Sequence, residues 1–149
     1  MKRKGQGTIE YLVIIAIVIV IALVVVGLLL QVMNSGSGIP ETQAKASWKS
    51  VEPFAVIDWG QTGTTLTVVL QNTSGETREF NRMTIADVNS TEAAETLAAG
   101  GKKTLTFTMT SCTAGNKFAY PKEGISIDYN TANIDNKTQP AIADIVGTC

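Results

Sequence analysis

Residues Leu12 to Leu30 form an unbroken apolar run, LVIIAIVIVIALVVVGLLL, with no charged or polar side chain. A run of about 18 or more apolar residues, at roughly 1.5 Å rise per residue, spans the ~30 Å hydrocarbon layer as a helix. Inside a helix every backbone N–H and C=O finds a partner, so lipid tolerates the Ile/Val-rich composition despite its modest helix propensity. The cluster Lys2-Arg3-Lys4 precedes the run, and the first acid is Glu10. Positive charge of this kind holds the amino end on the cytoplasmic side, which predicts export of everything beyond the helix.

Three fates are open to such a segment. A cleaved secretory signal has a shorter apolar stretch followed by a small-residue site, and Gln31-Val32-Met33-Asn34 offers no Ala-x-Ala sequence. A plain single-pass anchor needs nothing beyond the run itself. The third fate is a cut between Gly5 and Gln6, with the apolar helix kept in the mature chain.

The residues around that junction, Gly5-Gln6-Gly7-Thr8-Ile9-Glu10-Tyr11-Leu12, resemble the class III signal peptide of archaeal type IV pilins. In that family a basic leader ends in Gly, the mature chain begins with Gln, and Glu-Tyr-Leu opens the apolar helix. Archaellins share the leader, but their mature start usually lacks Glu-Tyr, so Glu10 and Tyr11 favour a pilin. The resemblance covers about the first thirty residues. It implies cleavage by a membrane-embedded prepilin peptidase and residence in the membrane before assembly. It also implies a pilus assembly ATPase, a platform protein, and polymerisation through the amino-terminal helices into an extracellular filament used for surface adhesion. A monomeric membrane-anchored binding domain and a minor-pilin or archaellin-like subunit are the alternatives.

The cut has chemical consequences. Loss of Lys2, Arg3 and Lys4 from 12 Lys and Arg leaves 9 against 13 Asp and Glu, a formal side-chain charge of −4 instead of −1. It also frees an α-amino group at Gln6, four residues before Glu10. Helical i,i+4 spacing puts the two on one face. A lone carboxylate in an apolar bundle costs several kcal/mol unless paired or protonated. By the resemblance, Gln6, Glu10 and Tyr11 are the filament-assembly residues, with Glu10 meeting the amine of a neighbouring subunit. The plainer reading makes Glu10 an interfacial acid favoured by the helix dipole and Tyr11 a belt aromatic. Gly27 invites either close helix approach or a local melt.

A helix that is apolar on all sides must bury all of them once it leaves lipid. Packing against identical helices does so, and head-to-tail repetition that does not close gives an open filament.

After Leu30 the composition turns polar, with Gly36, Ser37, Gly38 and Pro40 as linker and stop signals. The expected organisation is a leader over 1–5, a transmembrane and filament-core helix over 6–34, a linker over 35–50 and a β-rich extracellular head over 51–149. Within the linker, 41–50 is read as a short helix or an extended approach.

The head has a period of two. Leu105, Phe107 and Met109 alternate with threonines; Leu66, Val68 and Leu70 alternate with Thr65, Thr67 and Gln71, although Val69 breaks the polar face; Ile125, Ile127 and Tyr129 alternate with Ser126, Asp128 and Asn130. Residues 54–59, 80–88 and 141–146 are further strand candidates. Turn signals separate them at Gly60–Gly63, Ser74-Gly75, Gly100-Gly101, Ala114–Asn116 and Lys122–Gly124. The fold class is therefore α+β: a long apolar amino-terminal helix followed by a small antiparallel β-sandwich or Ig-like head of six or seven strands.

Cys112 and Cys149 both fall in the exported part, where disulfides persist. Joined, they close 38 residues counting both ends, with an entropic gain of about 3–4 kcal/mol; two free thiols are the other state. The chain has no His, so a metal site and the usual base of a nucleophilic triad lack support. No glycine-rich phosphate loop occurs, and Asp58, Asp87 and Asp128 read as solvated surface. Neither an enzyme nor a cofactor is expected, and no basic run outside the leader suggests nucleic acid. Asn72, Asn89 and Asn136 each head an Asn-x-Ser/Thr sequon and are candidate N-glycosylation acceptors.

Overall fold

The computed structural model describes residues 6–35 and 38–149. The basic leader, with Gly5, lies outside the described residues, as do Gly36 and Ser37 of the expected linker. Two compact units divide the chain after Ser37.

The first unit is one α-helix, α1, over Gln6–Ser35. Its 30 residues correspond to about 45 Å of rise, and its end falls within a residue of the position expected from the polar switch. Helix continues through Gly27, so no melt occurs there, and a Cβ at that position would meet nothing within 4 Å.

The second unit opens with a helix, the first of the two readings of 41–50, but one that begins earlier, at Gly38. Helix α2 spans Gly38–Lys49, and Pro40 sits in its first turn instead of stopping the chain. A first-turn proline removes no intrahelical hydrogen bond, and its fixed φ suits the helix. Ala44 and Trp48, four residues apart, are buried, Trp48 completely. Burying an indole of this size anchors the helix more firmly than propensity alone. The second unit therefore starts at α2, earlier than the expected boundary at residue 51.

Strands follow as β1 (Phe54–Asn72), β2 (Arg78–Ile85), β3 (Val88–Asn89), β4 (Glu95–Leu97), β5 (Lys102–Cys112), β6 (Lys117–Tyr120), β7 (Ile125–Asn130), β8 (Lys137–Pro140) and β9 (Ile145–Thr148). All pairings are antiparallel. One sheet is β1-β5; a second runs β3-β2-β7-β8 with β4 also on β2; the third is β6-β9. The long apolar helix followed by antiparallel sheets is the α+β arrangement that the periodicity predicts.

Three strand boundaries depart from expectation. Residues 54–72 form one strand of 19 residues, because the glycines at 60 and 63 bend it instead of reversing it. Gly63 has φ 58°, and the register to β5 shifts between Gly63 and Thr65, as in a bulge. The 80–88 stretch is instead a hairpin. Ala86 and Asp87 take φ 47° and 64° between the paired Ile85 and Val88, the left-handed geometry of a two-residue primed turn. Finally, the strand expected over 141–146 starts only at Ile145, and β4, β6 and β8 were not anticipated.

The alternating residues meet in one core. Leu66, Val68 and Leu70 of β1 and Leu105 and Phe107 of β5 are fully buried with Phe80, Met83 and Ile85 of β2 and Ile127 of β7. Phe54 joins the sheets through edge-on contacts, its ring 6.2 Å from Phe80 and 5.6 Å from Tyr129.

Buried amides complete the join. Gln139 of β8 accepts from Phe54 N at 3.0 Å and donates to Phe54 O at 2.7 Å. Its side chain thus does for β1 what a neighbouring backbone would. Gln61 donates to Thr110 O at 2.8 Å and accepts from Tyr120 Oη at 2.6 Å, connecting β1, β5 and β6. Asn72 donates to the carbonyls of Glu76, Leu97 and Ala98 and accepts from Ser74 N and Oγ. Removing that carboxamide strands several buried carbonyls and donors. Asn72→Ala is expected to lower the unfolding free energy of the 38–149 unit by about 2–4 kcal/mol, measured as a fall in urea midpoint without a change in slope.

Candidate processing and assembly site

Gln6 is the first residue of α1, and Glu10 and Tyr11 follow within its next turn and a half. Gly5, the other half of the expected junction, lies outside the described residues. Glu10 is exposed, and it makes no ion pair or hydrogen bond with any described residue. Glu10 lies beyond the first turn of α1, where the helix dipole falls off and supplies well short of what a buried carboxylate requires.

Beyond Glu10 the helix is bare. Tyr11 is 64 % exposed, and from Ile9 to Leu30 every side chain stands in the open. The 24 residues Gly7–Leu30 are long and apolar enough to cross a membrane, and none of that span is buried against the chain. The surface left uncovered is too large and too apolar for a soluble monomer.

Residues 3–29 match the family model for the class III signal peptide. The matched segment contains the Gly5–Gln6 junction, Glu10, Tyr11 and nearly all of the bare helix, and it supports a type IV pilin-like prepilin. At the level of the whole chain, it supports a secreted subunit of pilin-like or archaellin-like type, held in the membrane as a precursor and processed by a prepilin peptidase ahead of pilus assembly machinery. No curated protein matches the sequence.

In the 38–149 unit, the structure sorts the remaining candidates. Cys112 and Cys149 form a disulfide with Cα atoms 6.0 Å apart. The bond ties the end of β5 to the residue after β9, beside Gly115 N donating to Cys149 O and Cys149 N donating to Asn116 O. β9 in turn supports α2 and β1: Trp59 Nε1 donates to Val146 O at 2.8 Å. A Cβ at Gly147 would come within 2.8 Å of the Phe118 ring, so only glycine lets β9 lie this close to β6.

The three sequons have different surroundings. Asn72 is fully buried with its amide hydrogens committed to three carbonyls. A sugar on its Nδ2 is incompatible with this fold, which corrects the expectation that Asn72 is an acceptor. Asn89 and Asn136 are exposed.

Asp58, Asp87 and Asp128 lie on β1, the β2–β3 turn and β7, and do not assemble a common site. Asp128 pairs with Arg82 at 2.9 Å, and Asp58 pairs with Lys45 of α2 at 3.0 Å. Lys45 also reaches Glu41 at 3.1 Å and lies 5.3 Å from the centre of the Trp59 ring. The Lys45 hydrogen bond holds the Asp58 carboxyl below its ordinary value against a smaller opposing effect of burial. Burial works against the Lys45 charge, yet hydrogen bonds from the ammonium to Asp58 and Glu41 hold its pKa above the usual lysine value.

Sequence reasoning gave no role to Glu92, which follows the second sequon's threonine. Its carboxylate accepts from Thr106 N at 2.9 Å and from Thr91 Oγ1 at 3.1 Å, joining the loop before β4 to the edge of β5. Burial opposes its charge, but these hydrogen bonds prevail and hold its pKa below the ordinary value. Only the fold brings Thr106 to it.

Carboxylates with lowered folded-state pKa stabilise above their unfolded value and lose that contribution as pH falls through the folded value. The 38–149 unit is therefore expected to lose stability on acidification below the ordinary carboxylate range. Glu92→Gln should flatten that acid limb, as followed by thermal unfolding from pH 7 to pH 3. Breaking the disulfide is a separate matter: Cys149→Ser should cost about 3–4 kcal/mol from loop closure alone, at any pH in that range.

Proposed function

We propose that this chain is a pilin: a non-catalytic structural subunit that polymerises through α1 into an extracellular type IV filament carrying the 38–149 unit as its exposed head, and that the filament serves surface adhesion. The observation that carries the reading is a class III signal peptide matched on a helix whose apolar side chains from Ile9 to Leu30 are uncovered. Lipid satisfies that helix before assembly, and identical helices satisfy it afterwards. Extraction from lipid gains little hydrophobic energy, since neighbouring helices are about as apolar as the tails they replace. Close packing of side chains and the pairing of charged groups must then favour the assembled state.

Cleavage after Gly5 creates the needed cation. The new Gln6 amine and the Glu10 carboxylate, unpaired among the described residues, lie one helical turn apart on one face. Packed against a neighbour, the carboxylate of one subunit and the amine of the next neutralise each other and fix the axial offset between helices. A carboxylate left without that partner inside the bundle would oppose assembly by several kcal/mol.

The amino-terminal peptide of the native protein is expected to begin at Gln6, and electron micrographs of the purified material to contain filaments. An uncut amino terminus on a protein that never forms fibres would support a membrane-anchored monomer instead. Glu10→Gln preserves size and helix propensity. It should leave processing intact while cutting filament number or length at least tenfold, scored by micrographs of shear fractions; filaments at normal yield would remove Glu10 from the assembly role.

A further inference from the structure

Three sequons occur in the head, and the fold makes them unequal. Asn136 lies in the β7–β8 connection at φ 56°, a left-handed conformation that Asn tolerates better than most residues. Its backbone N–H donates to Asn130 Oδ1 at 2.8 Å, while its side chain is exposed and bonded to no described residue. The reactive Nδ2 is thus presented on a fixed backbone and free of competing acceptors. The threonine of the same sequon, Thr138, is also exposed and anchored, its Oγ1 donating to Asp128 Oδ1 at 2.8 Å.

Beside Asn136 is an open hollow of about 500 Å³ walled by Asn81, Arg82, Asp128, Asn136 and Thr138. These walls alternate donors and acceptors: the Arg82–Asp128 pair, the Thr138 hydroxyl, and the Asn81 carboxamide, which donates to Asn130. A hydrated, hydroxyl-rich ring matches such a wall and an apolar ligand does not. Asn89 is exposed too, but it lies in β3 paired with Thr84 of β2, and its Oδ1 accepts from Thr84 Oγ1 at 2.8 Å. Asn72 is closed off as described above.

We propose that Asn136 is an N-glycan attachment site, with the first sugar resting in the adjoining polar hollow. The reaction uses a lipid-phosphate-linked oligosaccharide as donor and a membrane transferase as catalyst. Asn136 Nδ2 forms a bond to the anomeric carbon of the donor sugar, and the anomeric C–O bond to phosphate breaks. The lipid phosphate leaves with the bonding pair, and the proton lost from Nδ2 passes to a base of the transferase. No oxidant or reductant is involved. The sugar then covers the exposed face of the β2-β7-β8 sheet.

The proposal requires the head to be exported, as the filament reading does. Mass spectrometry of the native protein, reduced and digested with trypsin, separates the two. Cleavage places the three sequons on different peptides, 50–78, 83–102 and 123–137, the last extending to 149 where a sugar on Asn136 blocks the cut at Lys137. Expected are an amino terminus at Gln6, a peptide from 123 carrying hexose or hexosamine increments on Asn136, and an unmodified Asn72. Thr138→Ala should remove one whole glycan mass from the intact protein, and Thr138→Ser should restore it. A Gln6 start together with a bare peptide from 123 overturns the glycan proposal and leaves the filament reading standing. A sugar on Asn72, or glycosylation confined to Asn89, overturns it as well.

Discussion

The governing constraint is an apolar rod with nothing of its own chain to cover it. Twenty-four consecutive residues of α1 are long and apolar enough to cross a membrane and are buried nowhere, so no state in water suits the isolated subunit. Two environments would suit it: a bilayer and, in the proposed filament, a bundle of identical helices. In the proposed reading the basic leader sets the direction of insertion, and its removal turns a membrane address into an assembly group. The 38–149 unit builds its core from its own residues.

That fold is held by a division of labour. Apolar alternation along β1, β5, β2 and β7 supplies the core, while the buried amides of Gln61, Asn72 and Gln139 supply the joints between sheets. Each amide replaces a backbone partner that the strand order leaves out. In the absence of such partners, buried N–H and C=O groups would each cost about 1–3 kcal/mol. Trp48 is the exception within the core: it is fully buried, and its Nε1 finds no acceptor among the described residues. The indole's apolar area outweighs that loss and keeps α2 in place.

Much of this was legible in the sequence, for reasons that differ by element. The apolar rod and the class III signal segment were plain because they are written in consecutive residues. The strands around Leu66, Leu105 and Ile127 were plain because alternation is a local signal. The disulfide partners were readable from number and compartment. The bend at Gly60–Gly63 was misread because a glycine pair signals a turn whether or not the chain reverses. The Ala86-Asp87 turn was hidden, since neither residue is Gly or Asn. Helix α2 was obscured by Gly38 and Pro40, whose breaking character vanishes in a first turn. Asn72 illustrates the general limit: its triplet is identical in kind to those at Asn89 and Asn136, and only long-range hydrogen bonds distinguish a joint from an acceptor.

The disulfide has a mechanical meaning. Tension transmitted along the covalent chain from the rod would reach the head at α2, which rests on β1 and on β9. β9 is the last strand, normally the easiest to peel, yet here its far end is fastened to β5 by Cys112–Cys149. Drag on the head would therefore strain a riveted seam instead of unravelling a loose edge, and the yield point would lie in the Trp48 and Lys45 contacts of α2, which can part and re-form without the sheets coming undone.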